Sequence, residues 1–282
     1  MKLQYLGTAA AEGVPGLFCT CPLCEQARVR LGRDFRMRHG ALVNGRLMLD
    51  FPPDAYHAML RHGLRLPDVT DVLFTHTHGD HCCLGELVYR AAPAFCIRPE
   101  ADPPLHLYGS ARVGALLEQE RERDLIARNT DFTALTCFAP REIAGVTVTA
   151  LPANHMGPDD QANLFLLEQG GKRLFYAHDT GLLPEATYAY LAGKRLDLIS
   201  FDCTCAVLPG VAGGHMGFEG VGLVRDRLRS LGCVDDRTVC VVSHFSHNGL
   251  HRDGVLYTHD KLSDLAGSLG CLAAYDGLTL EI

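Results

Sequence analysis

The feature that most constrains this chain is the run Thr75-His76-Thr77-His78-Gly79-Asp80-His81, which opens at the end of the apolar stretch Val72–Thr75. Side chains two apart on extended backbone project to one side, so His76 and His78 can converge on one ion. Asp80 and His81, at the approach to the helical spacing of Leu84–Ala91, turn toward a second. A polar loop whose histidines merely hydrogen-bond is the ordinary fate of one or two such residues. Four ligand-type residues in six positions, beside a strand able to hold them rigidly, point to metal instead.

Around this run the chain alternates between short strands and helices. It reads as a strand at Lys2–Gly7, a helix near Glu25–Leu31, and a hairpin of Leu42–Val43 with Leu47–Asp50 about a two-residue Asn44-Gly45 turn, then a helix at Ala55–His62. Beyond the histidine run the pattern predicts a long charged helix over Val113–Arg128 and strands near Thr133–Phe138 and Val146–Leu151. A hairpin of Asn163–Glu168 with Lys172–Ala177 follows about Gly170-Gly171. Buried strands at Leu196–Phe201 and Val239–Ser243 enclose a helix at Phe218–Leu231, and Asp276-Gly277 turns a final hairpin. With no low-complexity linker and no short-period repeat, the expectation is a single layered α/β domain over residues 1–282.

The formal charge of −7 gives no general attraction to nucleic acid or anionic membrane, so an anionic substrate must be captured locally. The opening MKLQYLGTAA has no apolar run of signal-peptide length and no later segment reaches membrane-spanning length, which makes a cytoplasmic enzyme the expectation. Twelve cysteines without an export signal then read as thiols or metal ligands before they read as disulfides, and 14 histidines strengthen that reading.

The H-x-H-x-D-H run resembles the signature of the metallo-β-lactamase superfamily. That resemblance implies an α/β fold of four layers, an αβ/βα sandwich with two mixed sheets between helices. It also implies ligands on later strand ends, and this sequence offers His155 in Pro152-Ala153-Asn154-His155, Asp179 in His178-Asp179-Thr180-Gly181 and His244 in Ser243-His244-Phe245. By the same likeness His76, His78 and His155 bind one metal, Asp80, His81 and His244 the other, and Asp179 bridges them. His178 is expected behind the ligands, because a carboxylate bridges two cations more readily than a neutral imidazole. Asp50 either orients a ligand histidine or caps a strand.

Cys19, Cys21 and Cys24 offer three thiolates near residues 19–24, one short of a tetrahedral zinc site, and His247 is the candidate for the fourth. A redox pair of Cys21 and Cys24 is the alternative, which Cys19 fits poorly. The other nine cysteines, Cys82 and Cys83 among them, are expected to be small buried hydrophobes. The C-x-C-x-x-C near the start, the H-x-x-H near the end and the early Gly7–Pro15 segment are similar to those of the PhnP-type phosphodiesterases of the superfamily.

Two bound metals, zinc, manganese or iron, would hold a bridging water as nucleophile. The PhnP likeness implies that His215, in Gly213-Gly214-His215-Met216-Gly217, protonates the leaving group, an ordinary loop histidine being the alternative, and Asp202 is placed to orient it. His251 and Arg252 are candidate contacts for substrate oxygens. The implied substrate is a small phosphodiester, cyclic ones included; no long basic arm of the kind RNA-processing relatives carry is visible, so nucleic acid and membrane are not expected partners, while family likeness suggests a homodimer. Acyl hydrolysis of a thioester, lactone or lactam is the second reading. The third, non-enzymatic reading is a cofactor-pathway accessory or binding protein resembling the pyrroloquinoline quinone biosynthesis protein, which often lacks a complete ligand set.

Overall fold

Leu174 and Tyr176 point to one face of a strand and Phe175 and Ala177 to the other, and all four are buried, so that strand needs cover on both sides. The computed structural model, which describes residues 1–91, 95–99, 102–157, 160–209 and 214–282, shows how the cover is supplied. One sheet takes β1 (Lys2–Gly7), β2 (Gly40–Val43), β3 (Leu47–Leu49), β4 (Asp71–Leu73), β5 (Leu105–Gly109) and β6 (Thr130–Ala134). The other takes β7 (Arg141–Ile143), β8 (Val146–Pro152), β9 (Asn163–Gln169), β10 (Lys172–Ala177), β11 (Leu198–Asp202) and β12 (Val239–Ser243). A small hairpin of β13 (His251–Arg252) and β14 (Val255–Leu256) follows; then β15 (Cys271–Ala273) joins the second sheet beside β12, and β16 (Thr279–Glu281) returns to the first beside β1. Each sheet is antiparallel at one end and parallel at the other, with parallel pairing from β3 to β6 and from β10 through β12 to β15.

Three apolar layers result. Leu3, Tyr5, Leu49 and Leu73 meet Phe165, Leu167, Leu174 and Tyr176 between the sheets. The outer face of the first sheet, with Met48, Val72, Phe74 and Leu107, is covered by α2 (Ala55–His62) and by Val113 and Ile126. The outer face of the second, with Leu166, Phe175, Ile199 and Phe201, packs on α6 (Glu185–Leu191), α7 (Phe218–Ser230) and α8 (His259–Ser268). The remaining helices, in chain order, are α1 (Pro22–Arg30), α3 (Val88–Ala91), α4 (Ala111–Leu117) and α5 (Arg123–Ala127). This is the αβ/βα sandwich of the expectation. Among the described residues no helix is long and apolar enough to cross a membrane.

Several expectations need correction. The long helix over Val113–Arg128 is two short ones, α4 and α5, because residues 118–124 are all polar and offer nothing to bury at helical spacing. The Asn44-Gly45 turn closes through Arg46 N–H to the Val43 carbonyl with φ of 52° and 72°, but Val43 pairs with Leu47, so three residues rather than two join the strands. Asp276-Gly277 does turn the chain, with Leu278 N–H on the Tyr275 carbonyl, yet it joins β15 of one sheet to β16 of the other and makes no hairpin. Asp276 is held across the fold by the Thr8 hydroxyl and Met37 N–H, which fixes that crossing. Leu84–Ala91 begins as a 3-10 turn before α3, and the strand placed near Thr133–Phe138 lies earlier, at β6.

Candidate metal centre

The loop after β4 carries the histidine run, and it is pinned from β3. Asp50 N–H donates to the Leu73 carbonyl, Phe51 N–H to the His81 carbonyl, and the fully buried Asp50 carboxylate accepts from Thr75 N–H at 2.7 Å and from His81 Nδ1 at 2.8 Å. Asp50 thus orients a ligand-type histidine. The ends of β8, β10, β11 and β12 deliver His155, Asp179, Asp202 and His244 to the same rim.

His76, His78 and His155 form one cluster, with Nε2 of His76 2.9 Å and Nε2 of His155 3.2 Å from Nδ1 of His78. Asp80, His81 and His244 form another: Nε2 of His81 lies 3.0 Å from an Asp80 oxygen and 3.3 Å from Nε2 of His244. Asp179 stands between them, Oδ1 3.8 Å from His155 Nε2, and Oδ2 3.3 Å and 3.2 Å from His81 and His244.

The hydrogen-bond partners fix which ring nitrogens face inward. His76 Nδ1 sits on the Thr75 hydroxyl, His81 Nδ1 on Asp50, His155 Nδ1 on the Gly214 carbonyl and His244 Nδ1 on the Thr204 hydroxyl, so each presents Nε2 as a lone pair. Burial lowers the pKa of His76 and His244 and takes His155 down to about 4, which keeps these rings in the neutral form that ligates. Asp179 Oδ2 is buried with no hydrogen-bond donor. Acceptors crowded on acceptors are unfavourable alone and favourable around cations. Ligand bonds of about 2.0–2.1 Å in a tetrahedron put nitrogens about 3.3 Å apart, close to the spacing here. The residues therefore fit a pair of divalent metals. Asp50, Asp179 and His244 all have left-handed backbone, φ 61°, 53° and 67°, a strain of about 1 kcal/mol or more each that tertiary packing must hold.

His215 lies beside this centre, its ring 4.7 Å from that of His155 and 5.7 Å from that of His244. Its Nδ1 donates to the buried Asp202 at 2.9 Å, which leaves Nε2 free. Burial pulls its pKa down, but Asp202 outweighs this and the group is raised to about 9. Gly213 lies outside the described residues. The hydroxyl of Thr204, which sequence reasoning passed over, bonds Asp202, His215 and His244 together.

At the other end of the chain Cys19, Cys21, Cys24 and His247 converge. His247 Nδ1 is 3.6 Å from the sulfurs of both Cys19 and Cys21, the separation expected for a shared zinc with bonds of about 2.3 Å to sulfur and 2.0 Å to nitrogen. Glu12 faces the other ring nitrogen of His247 at 3.7 Å and takes the Ser246 hydroxyl. Of the other nine cysteines, Cys82, Cys203, Cys233, Cys240 and Cys271 are buried as expected, but Cys83, Cys96, Cys137 and Cys205 are only half-buried. His178 is held by Ser200 and its ring lies 4.0 Å from that of His39, tilted by 43°; His39 is a buried residue the sequence did not mark, and both lie outside the two clusters. Arg252 bonds the Val207 carbonyl and Asp253, and neither it nor His251 enters a ligand cluster.

A family model described as the beta-lactamase superfamily domain matches residues 46–240, more than two thirds of the chain. The chain belongs to the metallo-β-lactamase superfamily. The match takes in the histidine run, His155, Asp179 and His215, while the cysteine loop and His244 lie outside it. Among superfamily relatives, coenzyme PQQ synthesis protein B of Methylobacterium nodulans is 28% identical over 229 residues, 72% of this chain and 73% of that protein. A diphosphatase of the PhnP family has the same fold, with a TM-score of 0.74 and 20% identity over 100% of this chain and 97% of that one. Zn(2+)-bound PqqB from Methylobacterium extorquens also has a TM-score of 0.74, at 21% identity over the whole of both chains.

Proposed function

We propose that this superfamily member is a metal-dependent hydrolase of small phosphodiesters, with His215 as the general acid. The observation that carries the reading is the clustering of His76, His78, Asp80, His81, His155, Asp179 and His244, with a histidine held by a buried carboxylate at their edge. When bound, two divalent cations supply Lewis acidity toward a phosphoryl oxygen and an acidified water. The chain's own part is to hold His76, His78 and His155 on one side of Asp179 and Asp80, His81 and His244 on the other. Asp202 holds His215 by Nδ1, so Nε2 carries the proton that a departing alkoxide needs. Cys19, Cys21, Cys24 and His247 would hold a separate zinc that ties the N-terminal loop to the segment just after His244.

The test is hydrolysis of aryl phosphodiesters by the zinc- or manganese-loaded protein and its His215→Ala variant. A general acid contributes about 10²–10⁴-fold, so the variant should lose most with a phenyl leaving group and least with p-nitrophenyl. Equal losses for both leaving groups would remove His215 from proton transfer. A second reading, a role in cofactor synthesis like that of coenzyme PQQ synthesis protein B, is favoured by the sequence likeness to that protein. Absence of turnover of any phosphodiester or acyl ester by fully loaded protein would favour it.

A further inference from the structure

Thr204 lies just past the end of β11, buried, and its hydroxyl reaches three side chains at once. Oγ1 is 2.7 Å from His244 Nδ1, 3.1 Å from Asp202 Oδ2 and 3.1 Å from His215 Nδ1. A hydroxyl has one proton to give and two lone pairs to receive with, so the directions of these bonds are limited.

They resolve from the side of the ligand histidine. An imidazole that ligates through Nε2 keeps its proton on Nδ1, and for His244 that proton goes to the Thr204 oxygen, Asp202 Oδ2 standing off at 3.8 Å. The Thr204 proton then goes to Asp202. The same carboxylate receives His215 Nδ1 at 2.9 Å and the backbone N–H groups of Asp179, Thr204 and Met216. A carboxylate offers about four acceptor sites, so Asp202 has none to spare for His244. Two imidazoles with different tasks thus meet one carboxylate, and the Thr204 hydroxyl keeps them apart. The main chain holds Thr204 in place without its hydroxyl: its N–H donates to Asp202 Oδ1, and its carbonyl accepts from Ser246 N–H at 3.2 Å.

We infer that Thr204 is the positioning residue of one central ion, the one on Asp80, His81 and His244. Its hydroxyl fixes the His244 ring with Nε2 toward His81 and stops Nδ1–H from turning to Asp202 in competition with His215. Among the described residues that hydroxyl bonds none of His76, His78 and His155, so the other ion does not depend on it. The inference rests on the metal pair of the reading above and not on its substrate.

The test is chelator competition on the fully loaded protein, as wild type, Thr204→Val and Thr204→Ser, with cobalt to tell the ions apart. Thiolate-to-metal charge transfer marks the ion on Cys19, Cys21 and Cys24, and the variants His155→Ala and His244→Ala mark the two central ions. Valine keeps the shape of threonine without the hydroxyl, and serine keeps the hydroxyl. Thr204→Val should bind the ion lost in His244→Ala about 10–100-fold more weakly, the usual effect of removing a group that orients a ligand. The ion lost in His155→Ala and the ion on the cysteines should hold as in wild type, and Thr204→Ser should recover most of the lost affinity. Unchanged affinity in Thr204→Val, an equal loss in Thr204→Ser, or equal weakening of both central ions overturns the inference and leaves the metal pair standing. A wild type that takes up no ion at the centre overturns the metal pair, and the inference with it.

Discussion

Replacing Asp50 by Asn changes no volume and removes one charge, and the structure says what must follow. One carboxylate oxygen accepts from Thr75 N–H at 2.7 Å, the other from His81 Nδ1 at 2.8 Å, and both accept from the Thr75 hydroxyl at 2.9 Å. An amide has a single oxygen. With it toward His81, the amide nitrogen meets Thr75 N–H as donor against donor in a fully buried position, which costs about 1–3 kcal/mol of stability. With it toward Thr75, the nitrogen meets His81 Nδ1–H, and the imidazole must move its proton to Nε2, the atom that faces Asp80, Asp179 and His244. Loss of a partner that orients a metal ligand typically costs about 10–100-fold in affinity, or about 1.4–2.8 kcal/mol. Competition against a chelator of known zinc affinity measures the second effect, and urea unfolding of metal-free protein the first. An Asp50→Asn variant with unchanged zinc affinity and an unchanged unfolding midpoint would refute the placement of Asp50 behind His81.

Three further outcomes are expected. Cys21→Ser should remove about one zinc per chain and lower the thermal midpoint, because it takes one sulfur from the cluster of Cys19, Cys21, Cys24 and His247 that ties the N-terminal loop to the segment after His244; elemental analysis with a full zinc complement would contradict this. Gly214→Ala should weaken metal binding by about 10-fold, since φ is 90° there and the new methyl would lie 2.8 Å from His155 Nδ1, which chelator competition detects. Phe175→Ala, which opens a cavity between the second sheet and its helices, should cost about 3–5 kcal/mol in urea unfolding, and a loss under 1 kcal/mol would mean that this layer is loosely packed.

Legibility followed the distance between cooperating residues. His76, His78, Asp80 and His81 announce themselves because they are contiguous, whereas His155, Asp179, His215 and His244 are far apart and were located through resemblance, each alone being an unremarked histidine or aspartate. The groups that aim the ligands were mostly invisible: Thr75, Thr204 and Glu12 are ordinary residue types, and only Asp50, at a strand end, drew notice. The strands of the sandwich were readable where both faces are apolar, as in Lys172–Ala177. The region around residues 118–124 was misread because mixed charge favours helix by propensity while offering no apolar face to dock. At Asp276-Gly277 the turn was legible, but not the sheet to which its second strand returns.

The central claim is that two cations sit on either side of Asp179 and serve diester hydrolysis. It is tested most directly by counting metals and measuring turnover of bis(p-nitrophenyl) phosphate and p-nitrophenyl phosphate on one sample of reconstituted protein. The account expects about three divalent metals per chain, two at the centre and one at the cysteines, with the diester hydrolysed and the monoester spared. About one metal per chain after reconstitution, with neither ester hydrolysed, would contradict it.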